Sequence, residues 1–342
     1  MKDLEPAPAP RFDRPVPPNG YLWWYLDALS DDGRHGFTII AFVGSVFSPY
    51  YAAARRRGGA DPENHCAINV ALYGQGPQRW ALTERGQRAL QRSANSFAVG
   101  PSSLAWNGTS LDIRIAEMSV PIPRRLSGQI RIHPPALTQH SYQLDPEGRH
   151  RWWPLAPDCR VEVAMREPGL RWAGRGYFDS NWGSEALEDG FSDWDWSRAP
   201  LPGGGCTVLY DKRLRNGSAR SMALQFSSSG EATELPLPAH APLPGTAIWR
   251  IPRATRSDSP ARVSRTLEDT PFYVRSVLSA GVLGERVTAA ERRLRFHDEG
   301  KAAVADMHAS GKGYAAADVH SYLEARVAGK PARRPKPVQW RK

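Results

Sequence analysis

Short apolar or alternating runs, separated by turn residues, follow one another along almost the whole chain. Residues 21–26 and 37–51 flank Ser-Asp-Asp-Gly-Arg-His, and residues 67–73 and 79–83 flank Gly-Gln-Gly-Pro. In Leu111-Asp-Ile-Arg-Ile115 apolar and charged residues alternate strictly, as on a strand with one buried face. Asn107-Gly108 just before it is a hairpin signal, because both residues accept the left-handed backbone of a tight turn. Further strands are expected at 125–132, 149–155, 161–165 and 170–178, then at 205–210, 221–226, 246–251, 261–267 and 271–277. Residues 211–217 read as a long hairpin tip ending in Asn216-Gly217. Many strands at this spacing, with no helices between them, predict an all-β chain of antiparallel sandwiches or barrels rather than βαβ units. Helical pattern is confined to 314–327, with a weaker stretch before Arg57. The proline-rich segment 235–245 suits a loop or an edge crossing, because proline cannot donate to a central ladder.

At 342 residues the chain has room for about two domains. The Pro-Leu-Pro-Gly-Gly-Gly stretch after Ala199 is the natural joint, giving domains at 14–198 and 199–310 and a C-terminal helix with a basic tail at 311–342. Cys66, Cys159 and Cys206 contain no C-x-x-C and cannot all pair, which argues against a disulfide scaffold or a zinc site. The net charge of +10 is concentrated at the end: residues 311–342 carry +6. Such a tail attracts anionic partners, either nucleic acid or a bilayer surface, or simply keeps the chain soluble. The proline-rich N-terminus has no apolar core and does not read as a secretory signal. The most apolar run, 37–47, is too short for a membrane span of about 20 residues. Trp (12) outnumbers Tyr (11) and Phe (10), which suggests a binding surface for something large and apolar, or for sugars.

Nucleotide and metal templates fail. There is no Walker loop and no G-x-G-x-x-G opening a helix, and the histidines show no H-E-x-x-H spacing. His133 and His140 make a weak metal pair, and no G-x-S-x-G offers an activated serine. The chemistry-bearing residues crowd into 149–198. On a strand, His150 and Trp152 share one face, as do Tyr177 and Asp179. If both strands line one pocket, a carboxyl, an imidazole, a phenol and an indole meet there. Gly174 and Gly176 would let another chain or a ligand approach closely, and Gly183 would allow a sharp turn. Taken singly, Asp179 reads as a turn cap, His150 as a structural histidine, and Trp194 and Trp196 as packing. Glu185, Glu188 and Asp189 read as a solvated loop. The conjunction of H-x-W with Y-x-D points to an active site.

At Gly176-Tyr-Phe-Asp-Ser-Asn-Trp-Gly183, followed by the Trp-rich 191–198, the sequence resembles the carotenoid 1,2-hydratase family, also called hydroxyneurosporene synthases. The resemblance runs through roughly 14–310. The D-x-N-W-G element also marks a wider superfamily of paired lipocalin-like domains that includes some fungal Diels–Alderases. The resemblance implies two lipocalin-like β-domains in tandem and addition of water to the terminal C1–C2 double bond of an acyclic carotene such as neurosporene or lycopene. It implies His150, Trp152, Tyr177 and Asp179 as the catalytic set, and it needs neither redox cofactor nor metal. It also implies a host among photosynthetic bacteria. The place would then be the cytoplasmic side, soluble or peripheral to the inner membrane, with the basic tail touching anionic lipid and no nucleic-acid partner.

On that basis Asp179, its acid form favoured by burial among Tyr177, Trp152 and Trp182, would protonate C2. Indole and phenol faces would stabilise the tertiary cation at C1. His150 would hold or deprotonate the water, or orient Asp179. Trp153, Trp182, Trp194 and Trp196 are expected to line an apolar tunnel for the polyene. The competing readings are a non-catalytic carrier of apolar molecules, a Diels–Alderase-like cyclase of the same superfamily, and a carbohydrate-active β-protein.

Overall fold

The computed structural model describes residues 2–4, 9–120, 122–270, 273–282 and 285–295, with a few positions beyond 311. The helix expected at 314–327 and nearly all of the basic tail lie outside the described residues. The strands of the first half are β1 (Tyr21–Ser30), β2 (His35–Val43), β3 (Cys66–Gly74), β4 (Arg79–Arg85), β5 (Leu90–Arg92), β6 (Ser96–Val99), β7 (Ser102–Trp106), β8 (Leu111–Met118), β9 (Arg125–His133), β10 (His150–Glu167) and β11 (Leu170–Gly183). They form one antiparallel sheet in the order β4-β3-β2-β1-β11-β10-β9-β8-β7-β6-β5. The sheet curls until its β4 edge meets β8: Arg85 on β4 bonds buried Glu117 on β8, and the Val120 N–H donates to the Trp80 carbonyl.

The second sheet contains β12 (Phe191–Pro200), β13 (Cys206–Leu214), β14 (Ala219–Phe226), β15 (Arg262–Asp269), β16 (Tyr273–Val282) and β17 (Glu285–Arg295), in the order β14-β13-β12-β17-β16-β15. The change of sheet falls at residues 184–190, because β12 pairs with β13 and β17. A break between residues 198 and 199 would cut through that strand. The β13–β14 hairpin is also tighter than its sequence suggests. Residues 211–214 continue the strand, leaving a tip around Asn216 and Gly217. His240–Leu243 pairs only with Arg253–Arg256, off the main sheets, as its prolines require.

Three cores result. Alternation on β1 sends Leu22, Trp24 and Leu26 into the interior of the first sheet, with Phe37, Ile39 and Phe178. It sends Tyr21, Trp23 and Tyr25 out of the other face, where they meet Trp194, Trp196 and Tyr210 of the second sheet. Strand β1 is therefore buried on both sides, which explains its unbroken apolar run. A smaller core, including Leu209 and Leu278, lies on the far side of the second sheet. The candidate chemistry lies between the two sheets.

Candidate active site

Asp179 is fully buried on β11, on the face turned to the second sheet. Its Oδ2 accepts from Trp152 Nε1 at 3.0 Å and from the Tyr177 hydroxyl at 2.9 Å, while Oδ1 accepts from Asn181 Nδ2 at 3.0 Å. Trp152 Nε1 also lies 3.1 Å from the Tyr177 oxygen, which closes the triangle. The strands dictate this arrangement. Residues 177, 179 and 181 point one way by alternation, and Trp152 stands opposite Asn181 in the β10–β11 register. Burial, followed by the charge of Asp179, pushes the Tyr177 phenol well above its usual range, so it remains a donor.

Aromatic faces enclose the carboxyl. The Tyr177 ring lies 4.9 Å from Trp196, Tyr25 lies 5.9 Å from Trp196, and Trp152 lies 5.6 Å from Tyr210. Trp194 joins the same cluster through Tyr210 and Trp23. Trp153 and Trp182 do not. Alternation turns them to the opposite face, where Trp153 donates to the Thr138 carbonyl and Trp182 lies under Arg14, 3.8 Å from guanidinium carbon to ring centre. Sequence adjacency to Trp152 and Asn181 misplaces them by one residue, and one residue is one face.

His150 shares the inter-sheet side but is spaced away from Asp179. It stands opposite Gly183, four residues along β11. Its Nδ1 lies 2.9 Å from the Tyr21 hydroxyl and its Nε2 3.2 Å from Glu185 Oε1. Both ring nitrogens are therefore engaged, and the imidazole orients Tyr21 rather than Asp179. Burial pushes the imidazole below its ordinary value, against the pull of Asp145 and Glu185. A neutral ring beside an acceptor-only carboxylate places its proton on Nε2, so Nδ1 accepts from Tyr21. Gly183 and Gly190 leave room for this ring: a Cβ at Gly183 would come to 2.7 Å of Nδ1, and one at Gly190 to 2.5 Å of Nε2. Gly174 and Gly176 admit strand β1, not a ligand, since a Cβ there would strike the Leu29 carbonyl at 2.0 Å and the Asp27 carbonyl at 2.9 Å respectively.

Sequence reasoning missed a second buried carboxyl. Asp27 lies opposite Tyr177 on β1, and Arg198 and Arg275 of the second sheet both reach it, the latter at 2.7 Å. Tyr25 donates to it at 2.8 Å. Burial opposes its charge, but the two guanidinium groups prevail and hold its carboxyl down at about 2. The available signal was a lone Asp closing the outward row Tyr21-Trp23-Tyr25 on an otherwise apolar strand. Lys212 was missed too: it is buried over the Tyr210 ring at 4.8 Å, and burial pushes its ammonium down to about 7.

Between the sheets, the cavity lined by Trp23, Ile40, Phe42, Val46, Phe47, Trp194 and Tyr273 measures about 10 Å³, room for about one water and far too small for the expected polyene tunnel. Among the described residues no group of three or more His, Cys, Asp or Glu side chains could hold a metal ion. His133 instead approaches Glu162 at 3.7 Å on an exposed face. No described helix is long and apolar enough to cross a membrane.

A family model described as carotenoid hydratase CrtC matches residues 39–309. Among curated proteins, the chain is 55% identical over 292 residues to the acyclic carotenoid 1,2-hydratase of Thiocapsa roseopersicina, covering 85% of this chain and 72% of that protein. It is 51% identical over 290 residues to the enzyme of the same name from Rubrivivax gelatinosus, covering 84% and 71%. Among solved structures, CghA with Sch210972 superposes with a TM-score of 0.54 at 12% identity, covering 86% of this chain and 97% of the other. That last likeness is one of fold, and the fold is lipocalin-like.

Proposed function

The chain belongs to the carotenoid hydratase family, and we propose on that premise that Asp179 is the acid with which it adds water across the terminal C1–C2 double bond of an acyclic carotene. The observation that carries this is the hydrogen-bonded triangle of Asp179, Tyr177 and Trp152, buried among aromatic faces. An isolated alkene is a weak base, so its protonation needs a carboxylic acid held away from water. Asp27 is excluded from this task because two arginines hold it ionised. Trp152, Tyr177 and Asn181 all donate to Asp179, and these three donors are neutral groups.

The step balances without a redox partner. The O–H bond of Asp179 breaks as the alkene's π pair forms a C–H bond at C2, leaving a tertiary cation at C1. Faces of Trp196, Tyr177 and Trp152 attract that cation, each by about 0.5–2 kcal/mol. A water lone pair then forms the C1–O bond, and the oxonium returns a proton to the Asp179 carboxylate. Acid and electrons are restored, so the reading is cofactor-independent. His150 acts at one remove. Held by Glu185 at Nε2, it sets the direction of the Tyr21 hydroxyl through Nδ1. The test is incubation of purified protein with lycopene or neurosporene in detergent and oxygen-labelled water, with no cofactor added. A product heavier by one labelled water supports the reading; unchanged carotene returns the fold to a carrier.

Contact with the bilayer has its own support. Trp80, Met118, Val120 and Ile122 are each more than 40% exposed, and Arg79 and Arg124 join three of them around a cleft of about 460 Å³. Apolar side chains beside arginines suit the headgroup boundary of an anionic membrane, where an acyclic carotene dissolves. The cleft also reaches Tyr73 and Glu268, which are bonded at 2.6 Å, and the Tyr73 ring lies 5.9 Å from the Arg275 guanidinium. It therefore abuts the network that borders the site. The basic tail would add attraction to the same surface.

A further inference from the structure

Trp152, Asn181 and Trp23 form one row across strands β10, β11 and β1, each in register with the next. All three therefore project from the same face of the first sheet, toward the second. Asn181 is wholly buried and turns its Nδ2 to Asp179 Oδ1, so its own Oδ1 points away from the carboxyl, and it meets no donor. Trp23 is 3% exposed, and its Nε1 meets no acceptor. A buried polar atom without a partner costs about 1–3 kcal/mol, and here two of them stand side by side.

The two atoms are complementary. One is an acceptor and the other a donor, on cross-strand neighbours whose Cβ atoms stand about 5 Å apart. A single water between them would satisfy both, donating one proton to Asn181 Oδ1 and accepting from Trp23 Nε1. One lone pair and one proton then remain. They are the lone pair that must form the C1–O bond and the proton that must return to the Asp179 carboxylate, to which Asn181 is already bonded.

We propose that Trp23 and Asn181 hold the water that captures the cation. This rests on the reading of Asp179 as the acid. It assigns nucleophile positioning to the strand row beside that acid, and not to His150, whose ring nitrogens are already engaged by Tyr21 and Glu185.

The test exploits the fate of a cation that water fails to capture. It loses a proton from C2 back to Asp179 and reverts to the alkene. In deuterated water the recovered carotene then carries deuterium at C2. Purified wild type, Trp23→Phe, Asn181→Leu and Asp179→Asn are incubated with lycopene in detergent and D2O, and both the hydrated product and the deuterium in recovered lycopene are measured by mass spectrometry.

Trp23→Phe and Asn181→Leu are expected to lower hydration about 5- to 10-fold while the ratio of exchange to hydration rises by a similar factor. If exchange and hydration fall together, these side chains act on the protonation step and the proposal is wrong. Unchanged hydration in both variants overturns it equally. Trp23→Phe keeps a ring and removes only the N–H donor, so it decides the matter alone if circular dichroism shows Asn181→Leu unfolded. Asp179→Asn is expected to abolish both signals. If it hydrates normally, the acid assignment fails, while the exchange ratios of the other two variants still judge the water site.

Discussion

Asp27 and Asp179 lie diagonally across one strand pair, Asp27 opposite Tyr177 and Asp179 opposite Tyr25, and both are buried. Their surroundings divide them. Asp27 is clamped by Arg198 and Arg275 from the second sheet, whereas Asp179 takes its hydrogen bonds from an indole, a phenol and an amide. Asp27 ties the sheets together, and Asp179 is the carboxyl proposed as the proton donor.

Asp179→Asn should lower turnover about 10²- to 10⁴-fold, the usual worth of a positioned general acid. The amide keeps the size and most of the hydrogen bonding, so the melting temperature should stay close to wild type. A folded variant with substantial residual hydration would remove Asp179 from the acid role. Tyr177→Phe, which deletes one donor to the same oxygen, should cost less, about 10-fold.

Asp27→Asn should destabilise the fold by about 3–5 kcal/mol at pH 7, because it leaves two buried guanidinium groups short of a counter-charge. The native carboxyl stands at about 2 against an ordinary 3.8, so its contribution is present above about pH 4 and lost as pH falls through about 2. Urea unfolding of both proteins should show the gap narrowing over that window. A gap that does not change with pH would contradict the ion-pair account.

Lys212 shares the sign of that linkage but for the opposite reason, since burial disfavours its charged form. Between about pH 7 and 10.5 the unfolded chain binds a proton that the native lysine does not, so stability rises with pH across that window. Lys212→Met should therefore raise the melting temperature, and by more at pH 6 than at pH 10. Equal gains at both pH values would mean that packing alone is responsible.

Gly190→Ala should push the imidazole of His150 out of place, since a Cβ would come to 2.5 Å of Nε2. It should match His150→Ala, and both should reduce activity less than Asp179→Asn. Because burial keeps this imidazole below its ordinary value, the native protein should lose stability as pH falls through about 6.5, where the unfolded histidine gains its proton. That acid-side slope should be absent from His150→Ala.

Replacing Trp80 and Ile122 together by Ala should weaken co-sedimentation with anionic liposomes while leaving hydration of detergent-solubilised lycopene intact. A variant lacking residues 326–342 tests the tail separately. Binding unchanged in both would assign membrane contact to neither surface.

Alternation, turn residues and the missing helical period already specify an antiparallel β chain, because strand geometry is local. The alternation of Leu111–Ile115 and the turn at Asn107-Gly108 are visible without knowing any partner. The pairing of Tyr177 with Asp179 was legible for the same reason, since residues two apart on a strand share a face. The sequence could not tell which face of Trp152-Trp153 meets Asp179, because that depends on the register of β10 against β11 and on the bulges after Trp153. Nor could it bring Arg198 and Arg275 to Asp27, or Trp23 beside Asn181, across more than 150 residues of chain. Such contacts depend on how the two sheets stack and which strands neighbour one another. Only the packed core decides that, because apolar burial rewards area and shape rather than any one sequence separation.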